Sequence, residues 1–162
     1  MRNATRDDLA KIVDIYNSTV PTRLATADTE EVSVASKEDW FDAHTPSRPI
    51  LVHEENGAVA AWVSFQPFYG RPAYDATAEI SIYVAPENRG KGLGTLLLRE
   101  AMELTPELGI NTLVGFIFSH NEPSLRLFRA FGFEEWGRLP GVAVMDGKTY
   151  SLSILGRHLR SS

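Results

Sequence analysis

The 162-residue chain contains no cysteine, which excludes disulfide stapling and thiolate chemistry. It has no apolar run near the roughly 20 residues that a membrane-spanning helix needs, and its first residues are too polar for a secretory signal. Basic residues are the minority: 16 Lys and Arg stand against 21 Asp and Glu, a formal charge of −5 with a pI near 5.4. That balance gives no electrostatic ground for nucleic-acid binding. Repeats, linkers and low-complexity tracts are missing too. What is present is a composition with 43% hydrophobic residues, enough for one core in a chain too short for two ordinary domains. We expect a single domain over residues 1–162, soluble and cytoplasmic, with neither nucleic acid nor membrane as a partner.

Met1 to Ala4 reads as an edge strand. Thr5 with Asp8 forms an N-cap signature ahead of Leu9, Ile12, Val13 and Tyr16, which share one helical face and predict a helix to about Thr19. Pro21 to Val34 lacks clear periodicity and reads as a loop or an irregular helix. Ser36 with Asp39 marks a second capped segment carrying Trp40 and Phe41, which either flanks a substrate or is a connection packed by its aromatics. Pro49 to His53 and Ala58 to Phe68 are strand-like around Asn56-Gly57, a hairpin turn whose residues accept positive φ. Pro67 to Ala76 is a loop holding Phe68, Tyr69 and Tyr74. A strand follows from Thr77 to Val84, then a glycine-rich turn and a helix carrying Leu93, Leu96, Leu97 and Leu104. Thr112 to Phe118 is a further strand, and Asn121-Glu122-Pro123-Ser124 opens a helix that ends at Gly132. Phe133 to Leu139 and Lys148 to Leu155 form two final strands, with Asp146-Gly147 as a turn. Hairpins at both ends with strand–helix–strand–helix between them predict an α/β (α+β) fold. Its central sheet is mixed and mostly antiparallel, with about six or seven strands and helices on both faces.

The stretch from Tyr83 to Thr95 carries the chemistry. A strand enters a glycine-rich turn that opens a helix, so backbone N–H groups and the positive helix end suit a phosphate or pyrophosphate. A P-loop needs Gly-Lys-Ser/Thr, whereas Gly92 follows Lys91; a dinucleotide fingerprint needs its third glycine one residue later than Gly94. Arg89-x-x-Gly92-x-Gly94 after Tyr83-Val84 instead resembles the coenzyme-A pyrophosphate loop of the GNAT N-acetyltransferase superfamily. Asn121 with Ser124, Leu127, Gly132 and Phe133 resembles that superfamily's second signature, in which an Asn contacts the pantetheine arm. The resemblance implies acetyl-CoA as cosubstrate and no metal. It places the coenzyme on Ile82, Tyr83, Val84, Arg89, Gly90, Lys91, Gly92, Leu93, Gly94, Thr95, Asn121 and Ser124. Backbone N–H groups freed where the fourth strand splays are donors for the thioester oxygen.

Ile15-Tyr16-Asn17, Arg48-Pro49, Pro67-Phe68, Arg71-Pro72-Ala73-Tyr74 and the strand from Thr77 to Val84 resemble the phosphinothricin acetyltransferase-like branch. This likeness implies acetylation of the primary amine of a small amino acid or analogue, a homodimer, and Glu79 as the catalytic group that accepts the amine's proton. Strand alternation points Glu79, Ser81 and Tyr83 to one face. An ammonium has no lone pair to attack a thioester, and an α-amino group with a pKa near 8 needs only a modest push. An ordinary carboxylate near pKa 4 is a weak base, so Glu79 needs a raised value or a bridging water.

The chain also departs from the pattern. Phe128 stands where many members carry a tyrosine that protonates the leaving thiolate, and is read as packing. Ala143, Val144 and Met145 replace a His and ring near the last hairpin, and Ala27 replaces a frequent aromatic. His44, His53, His120 and His158 show no metal spacing and are read as surface or turn residues. Trp40, Trp62 and Trp136 are read as core. Two alternatives stand beside small-amine acetylation: acetylation of protein or peptide N-termini, and a coenzyme-A-binding sensor without catalysis.

Overall fold

Seven strands, β1 (Arg2–Asn3), β2 (Ile50–Glu55), β3 (Ala58–Pro67), β4 (Thr77–Val84), β5 (Thr112–Phe118), β6 (Glu134–Met145) and β7 (Lys148–His158), join in one sheet of order β1-β2-β3-β4-β5-β7-β6. The structure is a computed structural model and describes residues 1–160. Every neighbouring pair is antiparallel except β4 with β5. The helices are α1 (Leu9–Thr19), α2 (Glu38–Asp42), α3 (Leu93–Leu104) and α4 (Glu122–Ala130). The expected mixed, mostly antiparallel sheet is therefore present. Asn56-Gly57 at φ 53° and 80°, and Asp146-Gly147 at 54° and 76°, close the two hairpins, since a tight twisted hairpin needs positive φ at both central residues.

Parity sorts the apolar residues into two layers. On one face Ile12 and Ile15 of α1 pack on Ile50, Val52 and Trp62, and the Trp62 indole N–H donates to the Ile12 carbonyl at 3.1 Å. On the other, Leu93, Leu97 and Leu98 of α3 with Leu125 and Phe128 of α4 cover Val63, Ile80 and Leu113. The start of α1 is pinned to the edge strand: Arg2 bridges Asp8 at 2.8 Å, and the Thr5 amide donates to the same carboxylate at 2.7 Å.

Four local expectations need correction. The last strands run longer, to Met145 and His158; Leu139-Pro140-Gly141 reads as a break, yet β6 is an edge strand, where a proline costs no ladder bond, and it absorbs the irregularity as a register shift between Leu139 and Ala143. Ser36 does not cap α2; it lies inside a 3-10 turn (Ala35–Lys37) and donates to the Ser33 carbonyl at 2.7 Å. Trp136 is 43% exposed rather than core. Its ring lies in the slot over Gly156, where a Cβ would meet it at 2.0 Å. His44 is half-buried and bonded to the sheet, not a surface residue.

Candidate active site

β4 and β5 pair only at Thr77–Thr112, Ala78–Leu113 and Glu79–Val114. Beyond Glu79 they part, because β4 stays with β3 through Val84 while β5 stays with β7 through Phe118. The Ala85 amide donates to the Ala60 carbonyl at 2.8 Å. Ladder alternation from that bond turns the N–H groups of Ile82 and Val84 away from β3 and into the opening. The Tyr83 N–H faces β3, and that residue meets the opening through its side chain. The opening widens into a cleft of about 350 Å³ between β4 and the start of α4, lined by Ile82, Tyr83, Val84, Asn121 and Ser124.

At its far end lies the glycine turn. Gly90 and Gly92 have φ of 76° and 77°, and Gly92 caps α3 in the left-handed region. Gly94 matters for another reason: a Cβ there would come 3.3 Å from the Leu127 side chain, so its absence eases the close approach of α3 and α4. Gly90, Gly92, Leu93, Gly94 and Thr95 line a hollow of about 200 Å³ at the α3 N-terminus, where unpaired amides and the helix dipole favour an anion. Arg89 is folded over the end of β4, donating to the Val84 carbonyl at 3.0 Å and to Ser18 Oγ at 3.1 Å. Lys91 is exposed on the same turn.

Asn121 does two things. Its Oδ1 accepts from the Ser124 amide at 3.3 Å and caps α4, and its amide donates to the Leu24 carbonyl at 3.1 Å. Leu24 and Ala25 line the cleft, and nothing in their aperiodic loop announces it. That loop is tied down by Arg23 on Asp146 at 2.9 Å, by His120 Nε2 donating to the Arg23 carbonyl at 2.7 Å, and by the Tyr83 hydroxyl donating to the Ala25 carbonyl at 3.2 Å. Phe128 packs edge-on against Phe133 at 4.9 Å and beside Gly115, as its chemistry requires.

On the α1 face, register pairs Trp62 with Tyr83, Ser64 with Ser81 and Gln66 with Glu79. Trp62, Ser64, Gln66, Ser81 and Tyr83 line a cavity of about 90 Å³, roofed by Tyr16, Lys37 and Trp40. Ser81 and Tyr83 also line the parting of β4 and β5, so the two spaces meet there. Glu79 is half-buried and has no hydrogen-bond partner among the described residues; burial pushes its carboxyl above the ordinary range. Burial raises the Tyr83 phenol as well, with smaller contributions from Tyr16 and Glu79. Tyr16 is pushed up to about 12 by burial and by its bond to Asp28. Both phenols hold their protons firmly.

A sequence model of the Acetyltransferase (GNAT) family matches residues 10–133. The chain belongs to this family. It is 57% identical over 160 residues to YwnH of Bacillus subtilis, a protein named provisionally as a phosphinothricin acetyltransferase, with 98% of each chain covered. It is 35% identical over 164 residues to the L-methionine sulfoximine/L-methionine sulfone acetyltransferase of Pseudomonas paraeruginosa, covering 98% of this chain and 94% of that one. The crystal structure of a GNAT superfamily phosphinothricin acetyltransferase from Sinorhizobium meliloti in complex with acetyl-CoA matches with a TM-score of 0.89 at 32% identity, over 97% of this chain and 86% of that one. This GNAT protein is an acetyl-CoA-dependent N-acetyltransferase. Among the described residues no cluster of His, Asp and Glu is arranged to hold a metal ion, and no helix is long and apolar enough to cross a membrane.

Proposed function

We propose that this chain, acting as one catalytic domain, moves an acetyl group from acetyl-CoA to the primary amine of a small amino acid or analogue of the phosphinothricin or methionine sulfoximine kind. The carrying observation is Glu79: a half-buried carboxylate without a hydrogen-bond partner among the described residues, two positions along β4 from Ser81, where the acceptor cavity meets the parted strands. The names of its relatives support the acceptor class. In this reading the pyrophosphate lies on Arg89, Gly90, Lys91, Gly92, Leu93, Gly94 and Thr95, and the pantetheine arm runs between β4 at Ile82, Tyr83 and Val84 and the Asn121–Ser124 turn. Glu79, with its raised pKa, takes one proton from the ammonium. The freed amine attacks the thioester carbon, and the Ile82 N–H stabilises the oxyanion. Phe128 has no proton to give and Tyr83 holds its own, so the departing thiolate is protonated by water. We further propose a homodimer, supported by an uncovered apolar sheet face, and a cytoplasmic location, where acetyl-CoA is available.

Thiol release from acetyl-CoA, measured against L-methionine sulfoximine, phosphinothricin, free amino acids and peptides, tests the acceptor. We expect the sulfoximine and phosphinothricin to turn over best. Faster turnover of peptides points to N-terminal acetylation, and a raised melting temperature with acetyl-CoA but no turnover points to a sensor. Glu79→Gln should lower kcat by about 100-fold with the KM for acetyl-CoA unchanged; an unaltered kcat removes Glu79 from the mechanism.

A further inference from the structure

Acetylating an ammonium removes two protons from one nitrogen, and Glu79 accounts for the first only. When the neutral amine attacks, its lone pair forms the C–N bond and the carbonyl π electrons move onto oxygen. The nitrogen of the resulting adduct is cationic. It must lose a second proton as the carbonyl re-forms and the C–S bond breaks.

His44 follows α2, and its ring stands edge-on to Trp40 with centroids 4.9 Å apart. Its Nδ1 lies 3.0 Å from the Trp40 carbonyl and 3.2 Å from the Phe41 carbonyl. Carbonyls only accept, so Nδ1 carries the hydrogen and Nε2 of the neutral ring has a free lone pair. Nε2 lies 2.7 Å from Ser64 Oγ, and the serine hydroxyl is therefore the donor. That bond leaves the other side of Ser64 Oγ as an acceptor. Ser64 is only 2% exposed and lines the acceptor cavity, directly across the ladder from Ser81. The titratable groups that line the cavity with Ser64 are Tyr83 from β4, Tyr16 from α1 and Lys37 from the turn before α2; Glu79 lies on the same face of β4, two residues from Ser81, and the Arg48 guanidinium is turned to the Leu108 and Asp75 carbonyls. Burial lowers the imidazole pKa, which keeps the ring neutral and ready to accept.

We propose that His44, acting through Ser64, takes the second proton. The adduct N–H is transferred to Ser64 Oγ while the Ser64 O–H passes to His44 Nε2, giving an imidazolium. The thiolate leaves and takes a proton from water, and the imidazolium and the Glu79 carboxyl each return one to water. The balance is one amide, one thiol and one proton released. His44 is a positioning residue and proton store, and the hydroxyl in contact with substrate is that of Ser64. The inference rests on the small-amine reading of this same site.

The test is the pH dependence of kcat for wild type, His44→Gln, Ser64→Ala, the double variant and Glu79→Gln, with acetyl-CoA and L-methionine sulfoximine. Wild type should show an acid limb with two ionisations. His44→Gln and Ser64→Ala should each lower kcat by about 100-fold, leave the KM for acetyl-CoA unchanged and reduce the limb to one ionisation, that of Glu79. The double variant should be no slower than the slower single, because one relay is broken twice. Glu79→Gln should keep the His44 ionisation. A structural role predicts a lowered melting temperature and a wild-type limb, and that result, or variant rates within about two-fold of wild type, overturns the proposal while leaving the acetyltransferase reading intact. Should His44→Gln fail to fold, Ser64→Ala, which removes a single oxygen, decides alone. A wild type silent toward every amine overturns the small-amine reading and this inference together.

Discussion

Glu79 weakens the fold it serves. Burial raises its carboxyl above the ordinary value of 4.5, so the folded state favours the protonated form. The contribution to stability is complete below that ordinary value and is lost as pH climbs through the raised one. Glu79→Gln should therefore raise the melting temperature at about pH 7, where the native carboxylate is charged, and leave it unchanged at about pH 4. Calorimetry at the two pH values checks this. Equal melting temperatures at the higher pH would mean that the carboxylate is not desolvated, and with that the basis for its proposed role as the base would go. Alternation along one strand is enough to place Glu79, Ser81 and Tyr83 on a common face. Their partners Gln66, Ser64 and Trp62 are not readable that way, because they depend on the register that the Asn56-Gly57 turn imposes on β3 and on how β3 then meets β4. His44 is still less legible, since its chemistry comes from a strand 20 residues further on.

The glycine turn separates two kinds of glycine within one element. Gly92 sits at φ 77°, a region that costs an L-residue about 1–2 kcal/mol, while Gly94 lies in the helix and is needed only for its closeness to the Leu127 methyl. Gly92→Ala should lower stability by about 1 kcal/mol and weaken acetyl-CoA by about tenfold, because the amides that face the anion are re-aimed. Gly94→Ala meets the far end of a rotatable side chain and should change binding less than Gly92→Ala does. Denaturant unfolding and titration calorimetry separate the two, and equal effects would show that the turn's conformation does not matter to the coenzyme. Sequence reading finds β4 and β5 to the residue, because each is a β-branched run bounded by turn chemistry. It does not find the strap at Leu24 and Ala25, whose position over the cleft depends on bonds to Asn121, His120 and Tyr83 from distant elements.

The sheet is covered unevenly. α1 and α2 pack over β2, β3 and β4, whereas register brings Phe116 with Ile154, and Phe118 with Leu152 and Leu139, onto the same face further along, with no helix packed over them. Phe116 is 36% exposed and Leu139 43%, and β6 ends the sheet as an unpaired edge. An apolar face beside an open edge is the kind of surface that a second copy covers by two-fold symmetry, burying about 800 Å² per partner in a stable case. Sedimentation equilibrium should therefore give about twice the chain mass of 18.0 kDa, with a melting temperature that rises with protein concentration. Leu139→Glu puts a charge on that face where it meets the open edge and should yield monomers, since an unpaired buried carboxylate is costly. The substitution lies on the exposed side of β6, away from both cores, so the monomer should still bind acetyl-CoA. A wild-type protein that sediments at the single-chain mass at every concentration would show that the face is left open, and the dimer would be withdrawn without touching the catalytic reading.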